Sequence, residues 1–480
     1  MSPPLSSRRE FLRASLALAA ASPAPAQLEK RQPNIVLFLV DDLGWMDLGC
    51  QGSSFYETPR TDQLAQQGMR FTNAYSACPV CSPSRAALMT GKYPGSVGFT
   101  GHITAILRHR YKKHGRVIPP DDYMFLRERE TTLAEALQPA GYVSASMGKW
   151  HLGSEQYWPE KQGFDLNVAG YDHGSPPSHF YPYTKPGQEW NSRVPTLDGG
   201  EPGEYLTDRL TDEAVRFIED QHDTPFFLYL THYAVHTPLE APADLVHKYE
   251  RKLENDDSQF SAVYAAMIEK VDESLGCVLD TLERLDVRDD TIVIFTSDNG
   301  GTQAATRNTP LREGKGYLYE GGIRVPLIAS WPGRIEPGSE CDVAVNGADL
   351  YPTITEIAGG RARPGQTDGR SLWPLLEGGD EAEPRDLYWY YPHYSPQAKE
   401  PSAAIRSGRH KLIEHYDPPS IELYDLESDI GEQRNLADDQ PIRAAELHER
   451  LRRWISDTVP IRHRINPSYD PALAENENPE

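Results

Sequence analysis

The sequence is poor in basic side chains, and it has few long apolar runs. It carries 48 Lys and Arg against 71 Asp and Glu in 480 residues, so its formal net charge is −23. Nucleic-acid binding and docking on anionic lipid both need basic surface, so this acidic balance disfavours both. No apolar run is long enough to span a bilayer as a helix. The sequence therefore predicts neither a nucleic-acid partner nor a membrane span.

Cysteine is also scarce: the chain has Cys50, Cys78, Cys81, Cys277 and Cys341. Because the count is odd, at least one thiol is unpaired or has another task, and the pairing of the others stays open. Cys78 and Cys81 have the C-x-x-C spacing of zinc sites. No second Cys or His pair completes such a site, so the pattern does not indicate zinc.

The first 26 residues have the three parts of an export signal in order. Arg8-Arg9 precedes a short apolar stretch, residues 14–21, which is followed by Ala24-Pro25-Ala26. Paired arginines, a short apolar segment and an Ala-x-Ala end predict twin-arginine export with cleavage near Ala26. The predicted location is the periplasm or the medium. Since this route carries folded proteins, a cytoplasmic modification can be complete before export.

Continuous apolar runs predict the central strands of an α/β domain. The runs are residues 35–40, 142–147, 226–230 and 292–295. Runs without alternation suit parallel strands that are covered on both faces, and amphipathic helical patterns lie between them. We expect a large, mostly parallel sheet flanked by helices. With 38% apolar residues, the chain has ample side chains for such a core.

Each run ends in polar residues, and the carboxyl ends of parallel strands meet at one edge. These residues are Asp41, Asp42, Lys149, His151, His232, His236, Asp298 and Asn299. A single Asp at a strand end is more often a helix cap. Two acidic pairs on one edge instead need a counter-ion, and oxygen-only ligands favour Ca²⁺ or Mg²⁺ over zinc.

The segment Cys81-Ser82-Pro83-Ser84-Arg85 predicts an anion site. Pro83 suits the first turn of a helix, so we expect Cys81 just ahead of a helix N-terminus. Free N–H groups and the helix dipole bind anions there, and Arg85 adds a cation one turn along. A lone Cys is usually an inert buried residue, but this one lies at the mouth of an anion site.

This segment, followed by Thr90-Gly91, resembles the signature of the type I sulfatases of the alkaline phosphatase superfamily. Other motifs of that family are present in order: Asp41-Asp42, Gly148 to Gly153, His236-Thr237-Pro238, Asp298 to Gly301 and Leu311 to Gly316. The resemblance runs from about residue 34 to about residue 457. It implies an arylsulfatase-like hydrolase with an alkaline phosphatase-like fold, a mixed, mostly parallel sheet.

The resemblance also implies a formylglycine (3-oxoalanine) at position 81, made from Cys81 by a maturation enzyme. Its hydrate would attack the ester sulfur, and its second hydroxyl would then release sulfate. One divalent cation, Ca²⁺ before Mg²⁺, would be held by Asp41, Asp42, Asp298, Asn299 and residue 81. The implied catalytic residues are Cys81, Arg85, Lys149, His151, His236 and Lys315.

Two other functions stay open. A phosphonate monoester or phosphodiester hydrolase of the same superfamily can also use formylglycine in this motif, and charge alone does not separate the two ester classes. A non-catalytic sulfated-glycan-binding homologue is the third hypothesis, which the intact ligand set disfavours. Either way the partner is a small-molecule or oligosaccharide ester.

The substrate is the least determined property. Export and the resemblance suggest a sulfated carbohydrate, and aromatic faces stack on sugar rings. Candidate aromatic walls are Trp158, Tyr171, Tyr181, Tyr183 and Trp190, and also Tyr388, Tyr390, Tyr391 and Tyr394, although these side chains are also suited to core packing. His173 and His393 lie in loops that could reach the pocket, and we name both as substrate-binding candidates.

The C-terminal part has a different pattern. Short extended pieces at 404–406, 411–413 and 421–424 precede a basic amphipathic helix from Ile442 to about Ile455. We predict a small antiparallel sheet with one helix. The predicted organisation is an export signal at 1–26, a catalytic domain at 27–379, a C-terminal subdomain at 380–466 and a loose tail at 467–480.

Overall fold

The structure, a computed structural model, describes residues 32–103, 112–187, 191–254, 261–361, 365–379, 383–395 and 400–474. The predicted export signal, Trp190 and the predicted domain boundary at residue 380 lie outside these ranges. Within them, none of the helices combines the length and the apolarity that a membrane span requires.

Sixteen strands are found in the described ranges. They are β1 (Asn34–Val40), β2 (Met69–Phe71), β3 (Ala74–Tyr75), β4 (Val117–Ile118), β5 (Val143–Gly148), β6 (Leu166–Val168), β7 (Phe226–Thr231), β8 (Thr291–Ser297), β9 (Leu327–Ser330), β10 (Ser339–Cys341), β11 (Val345–Asn346), β12 (Asp386–Tyr391), β13 (Ser402–Ser407), β14 (His410–Tyr416), β15 (Pro419–Asp425) and β16 (Arg464–Ile465).

The α-helices lie between and after these strands. They are α1 (Pro59–Gln66), α2 (Cys81–Thr90), α3 (Pro94–Val97), α4 (Leu133–Leu137), α5 (Leu206–Gln221), α6 (Ala243–Leu253), α7 (Ala262–Arg284), α8 (Glu320–Ile323), α9 (Leu350–Ile357), α10 (Trp373–Leu376), α11 (Pro441–Thr458) and α12 (Pro471–Ala474).

The large sheet has the strand order β10-β2-β9-β8-β1-β7-β5-β6. Strands β8, β1, β7, β5 and β6 are parallel neighbours, whereas β9 runs antiparallel to both β8 and β2. The four predicted apolar runs are β1, β5, β7 and β8. The sheet is therefore mixed and mostly parallel, as predicted, and the carboxyl ends of these four strands share one edge.

Both faces of the large sheet are covered, which explains the continuous apolar runs. Alternate residues of β1 point to opposite faces. Val36 and Phe38 pack with Leu210 of α5 and Leu275 of α7. Ile35, Leu37 and Leu39 enter a second cluster, which contains Leu88 of α2 and Ile354 of α9. A strand buried on both sides rarely carries a charged residue until it leaves the sheet, so the charged side chains come at its end.

The C-terminal part is the predicted antiparallel sheet with one helix. Its strand order is β12-β13-β14-β15. Helix α11 packs on it through Leu447, Leu451 and Ile455. Strand β12 is not among the predicted extended pieces, because its run of tyrosines also has the composition of a wall of a substrate pocket.

Two local expectations need correction. The helix at the anion site begins at Cys81 itself, with Val80 as its N-cap, so Cys81 belongs to the first turn. The described part of the tail, residues 467–474, is not loose. The Asp470 N–H donates to His114 O over 3.1 Å, and Asn466 donates to Gly115 O over 2.7 Å. The second bond comes from the Asn466 side chain, just before the tail, and Lys112 Nζ donates to Ala474 O over 3.2 Å at its far end. The five cysteines are all unpaired.

Candidate active site

Two strand ends supply the acidic residues of the site. Asp41 and Asp42 follow β1, and Asp298 and Asn299 follow its parallel neighbour β8. Asp42 has φ of 59°, a left-handed conformation that is uncommon for a residue with a side chain. Its N–H donates to Asp298 Oδ1 over 3.2 Å. The turn therefore directs the Asp42 and Asp298 carboxylates into one fully buried cluster.

Cys81 lies among these acids at the start of α2. Its Sγ is 3.6 Å from Asp41 Oδ1, 3.9 Å from Asp42 Oδ1 and 3.3 Å from Lys315 Nζ. Burial raises the pKa of the Cys81 thiol to about 12, although Lys149 and Lys315 oppose this shift. The unmodified thiol is therefore protonated near neutral pH. Since thiolate is the nucleophilic form of cysteine, this residue is unreactive as encoded.

Each carboxylate of the cluster has a different cation as its nearest partner, and Asp41 also lies 3.8 Å from Arg85 Nη2. Lys149 Nζ is 2.6 Å from Asp41 Oδ2, and Lys315 Nζ is 2.7 Å from Asp42 Oδ1. Arg85 donates through Nε to Asp298 Oδ2 over 2.8 Å. All six side chains are buried, so none of these charges is screened by water.

The neighbouring carboxylates of Asp41 and Asp42 differ in their protonation. Burial raises the pKa of Asp41 to about 8, despite the nearby Lys149. Burial also acts on Asp42, but Lys315 and His236 hold its pKa below the usual range. The cluster thus has more acid than its cations can keep ionised, and a further positive charge would release the Asp41 proton.

The donor set fits a hard metal cation. One ligand atom each of Asp41, Cys81 and Asp298 lies within 4.8 Å of the others. Asn299 donates through Nδ2 to Asp42 Oδ1 over 2.8 Å, which leaves its buried Oδ1 without a hydrogen-bond partner. Convergent carboxylates with an unpartnered amide oxygen are the oxygen ligands that Ca²⁺ and Mg²⁺ take.

His151 is held in a single tautomer beside the cluster. Ile103 O can only accept, so His151 donates from Nε2 over 2.9 Å, and Nδ1 accepts from Ser82 Oγ at 3.2 Å. Burial lowers the pKa of His151, so the ring is neutral. Gly174 passes so close that a Cβ there would lie 2.5 Å from Cε1 of His151, which explains the need for glycine.

His236 lies at the open side of the cluster. Its Nδ1 donates to Thr237 O over 2.9 Å, and its Nε2 is 3.6 Å from Asp42 Oδ2. Burial and then Lys315 lower the pKa of His236 to about 3. The side chain is 16% exposed, whereas those of Asp41 and Lys149 are fully buried, so His236 is accessible to an incoming ligand.

The predicted residues at positions 41, 42, 81, 85, 149, 151, 236, 298, 299 and 315 thus come together, but His232 does not. Its Nε2 is 2.9 Å from Ser274 Oγ of α7, and burial lowers its pKa to about 3. Its neighbour Thr231 is at the site instead, because Thr231 Oγ1 accepts from Arg85 over 2.6 Å. Alternation along β7 places successive side chains on opposite faces.

His173 and His393 lie in loops beside the cluster. His173 precedes Gly174 and packs its ring against Tyr171, with centroids 5.3 Å apart. His393 Nε2 is 2.8 Å from Thr100 Oγ1 and 3.3 Å from Asp122 Oδ2. Both therefore belong to the loops around the site.

One residue at the site was missed from sequence. The ring of His102 lies edge-on to that of His151 with centroids 4.9 Å apart, and a ring nitrogen of each is within 4.8 Å of Cys81 Sγ. His102 follows no predicted strand and belongs to no motif, so no pattern in the sequence indicated it.

The predicted aromatic walls are mostly core. Tyr171, Tyr183, Tyr390, Tyr391 and Tyr394 are buried. Tyr388 stacks on Trp454 of α11, with centroids 4.7 Å apart and an interplanar angle of 4°. Packing thus accounts for these side chains, and in the described ranges they do not form a stacking surface for sugars.

Comparisons with known proteins agree with this geometry. The family model described as Sulfatase matches residues 33–360, and a second one, N-sulphoglucosamine sulphohydrolase, C-terminal, matches residues 314–457. A Formosa agariphila protein named sulfatase is 34% identical over 499 residues, which covers 88% of this chain and 89% of the relative.

Two further relatives are named for carbohydrate chemistry. The N-acetylgalactosamine-6-sulfatase of Canis lupus familiaris is 36% identical over 398 residues, covering 78% of this chain and 70% of the relative. The crystal structure of Ps i-CgsB in complex with k-i-k-neocarrahexaose is 30% identical with a TM-score of 0.76, covering 93% of this chain and 97% of that one.

Proposed function

The chain belongs to the sulfatase family and is a sulfuric ester hydrolase, and from this premise we propose that it is exported and cleaves a sulfate monoester of a carbohydrate. The reactive group is a formylglycine made from Cys81, and one divalent cation, Ca²⁺ in preference to Mg²⁺, completes the site. The observation that carries the proposal is the position of Cys81, a buried and protonated thiol among three carboxylates and three cations.

The protonated thiol is the reason for a modified residue. A thiol with a pKa of about 12 is a poor nucleophile near neutral pH. A hydrated aldehyde at the same position supplies two hydroxyls, one to attack sulfur and one whose deprotonation expels sulfate. We assign His151 as the base for that proton, because its ring is neutral, its Nδ1 carries no proton and one of its ring nitrogens lies within 4.8 Å of Cys81 Sγ.

The cation would be held by Asp41, Asp42, Asp298, Asn299 and residue 81. A bound divalent cation supplies a lowered pKa for a coordinated hydroxyl and charge compensation for the ester oxygens. Arg85 orients Asp298 through the 2.8 Å bond from Nε. Arg85 also donates to Lys149 O over 2.7 Å, so one guanidinium aligns the ends of β8 and β5.

Lys149, Lys315 and His236 are the groups that bind the sulfate. The two ammonium groups face the acids from either side of Cys81, so they can share their charge with an anionic ester. His236 lies at the open side, where the alcohol must leave. Its Nε2 is oriented toward the cluster because Nδ1 is bonded to Thr237 O. We assign the protonation of the leaving oxygen to His236 and Lys315, and the negative charge of a bound ester would raise the pKa of His236 so that Nε2 carries a proton.

A carbohydrate is proposed because two of the relatives bear names with sugar substrates or ligands. No residue described above determines which hydroxyl of the sugar carries the sulfate ester. Nor does any of them determine whether the enzyme cleaves at the end of a chain or within it. His173 and His393 keep their proposed role in substrate binding, since both belong to loops next to His151 and His102.

The first experiment tests the modified residue. The protein is produced with and without a formylglycine-generating enzyme, and the mass of the peptide that contains Cys81 is measured by mass spectrometry. Conversion of CH₂SH to CHO makes the peptide about 18 Da lighter. Sulfatase activity should rise in proportion to the converted fraction, and full activity with an unmodified thiol would refute the mechanism.

The second experiment tests the reaction class and the substrate. The converted enzyme is assayed on aryl sulfate and aryl phosphonate esters and on a panel of sulfated mono- and oligosaccharides. A higher kcat/KM for the phosphonate would favour a phosphonate hydrolase. Absence of turnover in fully converted protein would favour a glycan-binding homologue. Activity on aryl sulfates alone would refute the carbohydrate assignment.

A further inference from the structure

A basic segment stands out from this acidic chain. Residues 441–465 contain six arginines and three acidic residues, although the whole chain has a net charge of −23. On α11, three of these arginines are neutralised by ion pairs: Arg443 and Arg450 with Glu446, and Arg453 with Glu449. Arg452 is also paired, with Glu414 at 3.6 Å. The positive charge that is left is therefore concentrated in Arg462 and Arg464, which follow α11.

A pocket of about 490 Å³ lies between the end of α11, strand β14 and the residues around β16. Its lining includes the cations Arg116, Arg452 and Arg462 and the rings of Tyr416 and His463. The carboxylate in the lining, Glu414, lies 3.0 Å from His448 Nε2 and 3.6 Å from Arg452 Nε, so it offsets the charge of Arg452 but not that of Arg116 or Arg462. The pocket is therefore positively charged, and it is separate from the cluster around Cys81.

Two of its arginines are positioned by backbone pairing but lack an acidic partner. The β4–β16 pairing sets Ile465 opposite Val117, and the Asn466 N–H donates to Arg116 O over 2.8 Å. The Arg116 guanidinium lies 5.7 Å from the ring centre of Tyr469. In the part of the chain that the structure describes, neither Arg116 nor Arg462 forms an ion pair with a carboxylate, so both forks can bind an anion.

The pocket also has an aromatic wall fixed by hydrogen bonds. The rings of Tyr416 and His463 have centroids 4.1 Å apart. The Tyr390 hydroxyl accepts from the His463 backbone N–H over 2.9 Å and lies 2.8 Å from His463 Nδ1. Burial lowers the pKa of His463 to about 4, so the ring is neutral. Ile465 is 63% exposed and extends this apolar surface.

We propose that this pocket is an accessory site for a sulfate group of a sulfated polysaccharide, with the adjacent sugar against Tyr416 and His463. The choice of a sulfated sugar as the ligand rests on the proposed function. A guanidinium group can donate two parallel N–H bonds to two oxygens of one sulfate group, and aromatic rings stack on sugar faces. A nucleic acid is also a polyanion that would meet these arginines. We prefer a sulfated sugar because the chain belongs to the sulfatase family, and the test therefore includes single-stranded DNA as a competing ligand. The site would hold a polymer near the enzyme while one of its esters is cleaved.

The test measures binding without turnover. The probe is dextran sulfate of about six sugars, titrated by calorimetry into protein that carries Cys81→Ala, with unsulfated dextran as the ligand control. Adding Arg116→Ala and Arg462→Ala should weaken binding about tenfold or more and reduce the salt dependence of the affinity. Arg462→Lys keeps the charge without the fork, so it should give an intermediate loss.

Arg464→Ala is the matched control for a general charge effect. Arg464 is the neighbour of Ile465 in β16 and carries the same charge, but it does not line the pocket. It should weaken binding much less than Arg462→Ala. Equal losses from the two substitutions, or single-stranded DNA binding as tightly as dextran sulfate, would overturn the proposal. A thermal melt checks that each variant is folded.

The two proposals fail separately. With Cys81 intact and converted, Arg116→Ala with Arg462→Ala should leave kcat/KM on 4-nitrophenyl sulfate unchanged and should raise KM for a sulfated polymer. Unaltered binding of dextran sulfate in the double variant would refute the accessory site, whatever the enzyme cleaves. Normal binding with no sulfate release from any ester would refute the proposed function alone.

Discussion

Two buried clusters of charged side chains in this molecule differ in how many of their polar atoms have a bonding partner. One is the site around Cys81. The other, here called the sheet cluster, joins Glu320 of α8, Lys411 of β14 and Glu432. Lys411 Nζ is 3.0 Å from Glu320 Oε1 and 2.9 Å from Glu432 Oε1, and all three side chains are inaccessible to solvent. It links the two sheets, since α8 follows the Lys315 loop and β14 belongs to the C-terminal sheet.

The sheet cluster is closed by further bonds to Glu320. Its Oε2 accepts from Tyr75 over 2.8 Å and from Arg324 Nε over 2.8 Å. Glu432 Oε1 forms no hydrogen bond but is paired with Lys411 Nζ at 2.9 Å. In the site around Cys81, by contrast, Asn299 Oδ1 is buried without a hydrogen-bond partner, and Arg85 Nη2 has only an ionic contact of 3.8 Å with Asp41 Oδ1. A complete network stabilises a fold, whereas an incomplete one has capacity for a ligand. Substitutions should therefore affect activity in one cluster and stability in the other.

The largest effect on activity is expected from Cys81→Ala. It removes the reacting group, so turnover should fall to background. The Cys81 Sγ makes only contacts of 3.3 Å or longer, so the melting temperature should hardly change. Cys78→Ala is the control, because Cys78 is equally buried but outside the cluster. Assays and melts on both proteins check the prediction, and residual turnover in Cys81→Ala would contradict it.

Asp298→Asn should remove the bound cation and most of the activity. The substitution keeps the volume but loses the charge that faces Arg85 Nε at 2.8 Å. Metal content per chain, measured by elemental analysis of dialysed protein, should fall with kcat. Asp272→Asn is a control at another buried carboxylate, which binds the N–H of Thr61. A chelator that strips the metal but leaves activity would contradict the cation's role.

Lys411→Met should give the largest loss of stability. Removing one partner of a buried ion pair typically costs about 3–5 kcal/mol, and here two carboxylates lose the same partner. Urea unfolding measures the loss. Arg453→Ala breaks an exposed pair with Glu449, so it should change the free energy of unfolding by less than about 0.5 kcal/mol. Equal effects of the two substitutions would contradict the contrast between buried and exposed pairs.

The sequence predicted the Cys81 site better than the sheet cluster for a physical reason. Polar residues that directly follow an apolar strand buried on both faces lie at the edge of the sheet. The strand pattern alone therefore places Asp41 and Asp298 together. Glu320, Lys411 and Glu432 are single charged residues in segments of mixed polarity. No periodicity in the sequence sets them apart from surface charges, and only the tertiary packing buries them.

The positions of His102 and of the tyrosines also depend on tertiary packing, so the sequence did not predict them. His102 reaches Cys81 through a loop whose path depends on the packing of Thr100 against His393 and Asp122. An aromatic run such as Tyr388 to Tyr391 has the composition of a sugar-binding wall and also of a strand. Burial of β12 between the helix α11 and the core decides between them, and that burial is a property of the folded chain.

The smallest predicted effect is a pH dependence that Glu432→Gln should remove. Burial raises the pKa of Glu432 to about 7, with Lys411 opposing and Glu320 reinforcing the shift, whereas the unfolded carboxyl titrates near 4.5. Between these values the folded state keeps a proton that the unfolded chain releases. The free energy of unfolding must therefore fall as the pH rises from 4.5 to 7, by at most about 3 kcal/mol.

Glutamine stays neutral throughout, and its amide oxygen can still accept from the Glu320 N–H. Urea unfolding at pH 5 and pH 8 should give a smaller decrease for Glu432→Gln than for the wild type. Glu449→Gln, on the exposed face of α11, should match the wild type. Identical decreases in all three proteins would show that Glu432 is ionised in the folded state, and the sheet cluster would then be fully charged, unlike the one around Cys81, where burial raises the pKa of Asp41 to about 8.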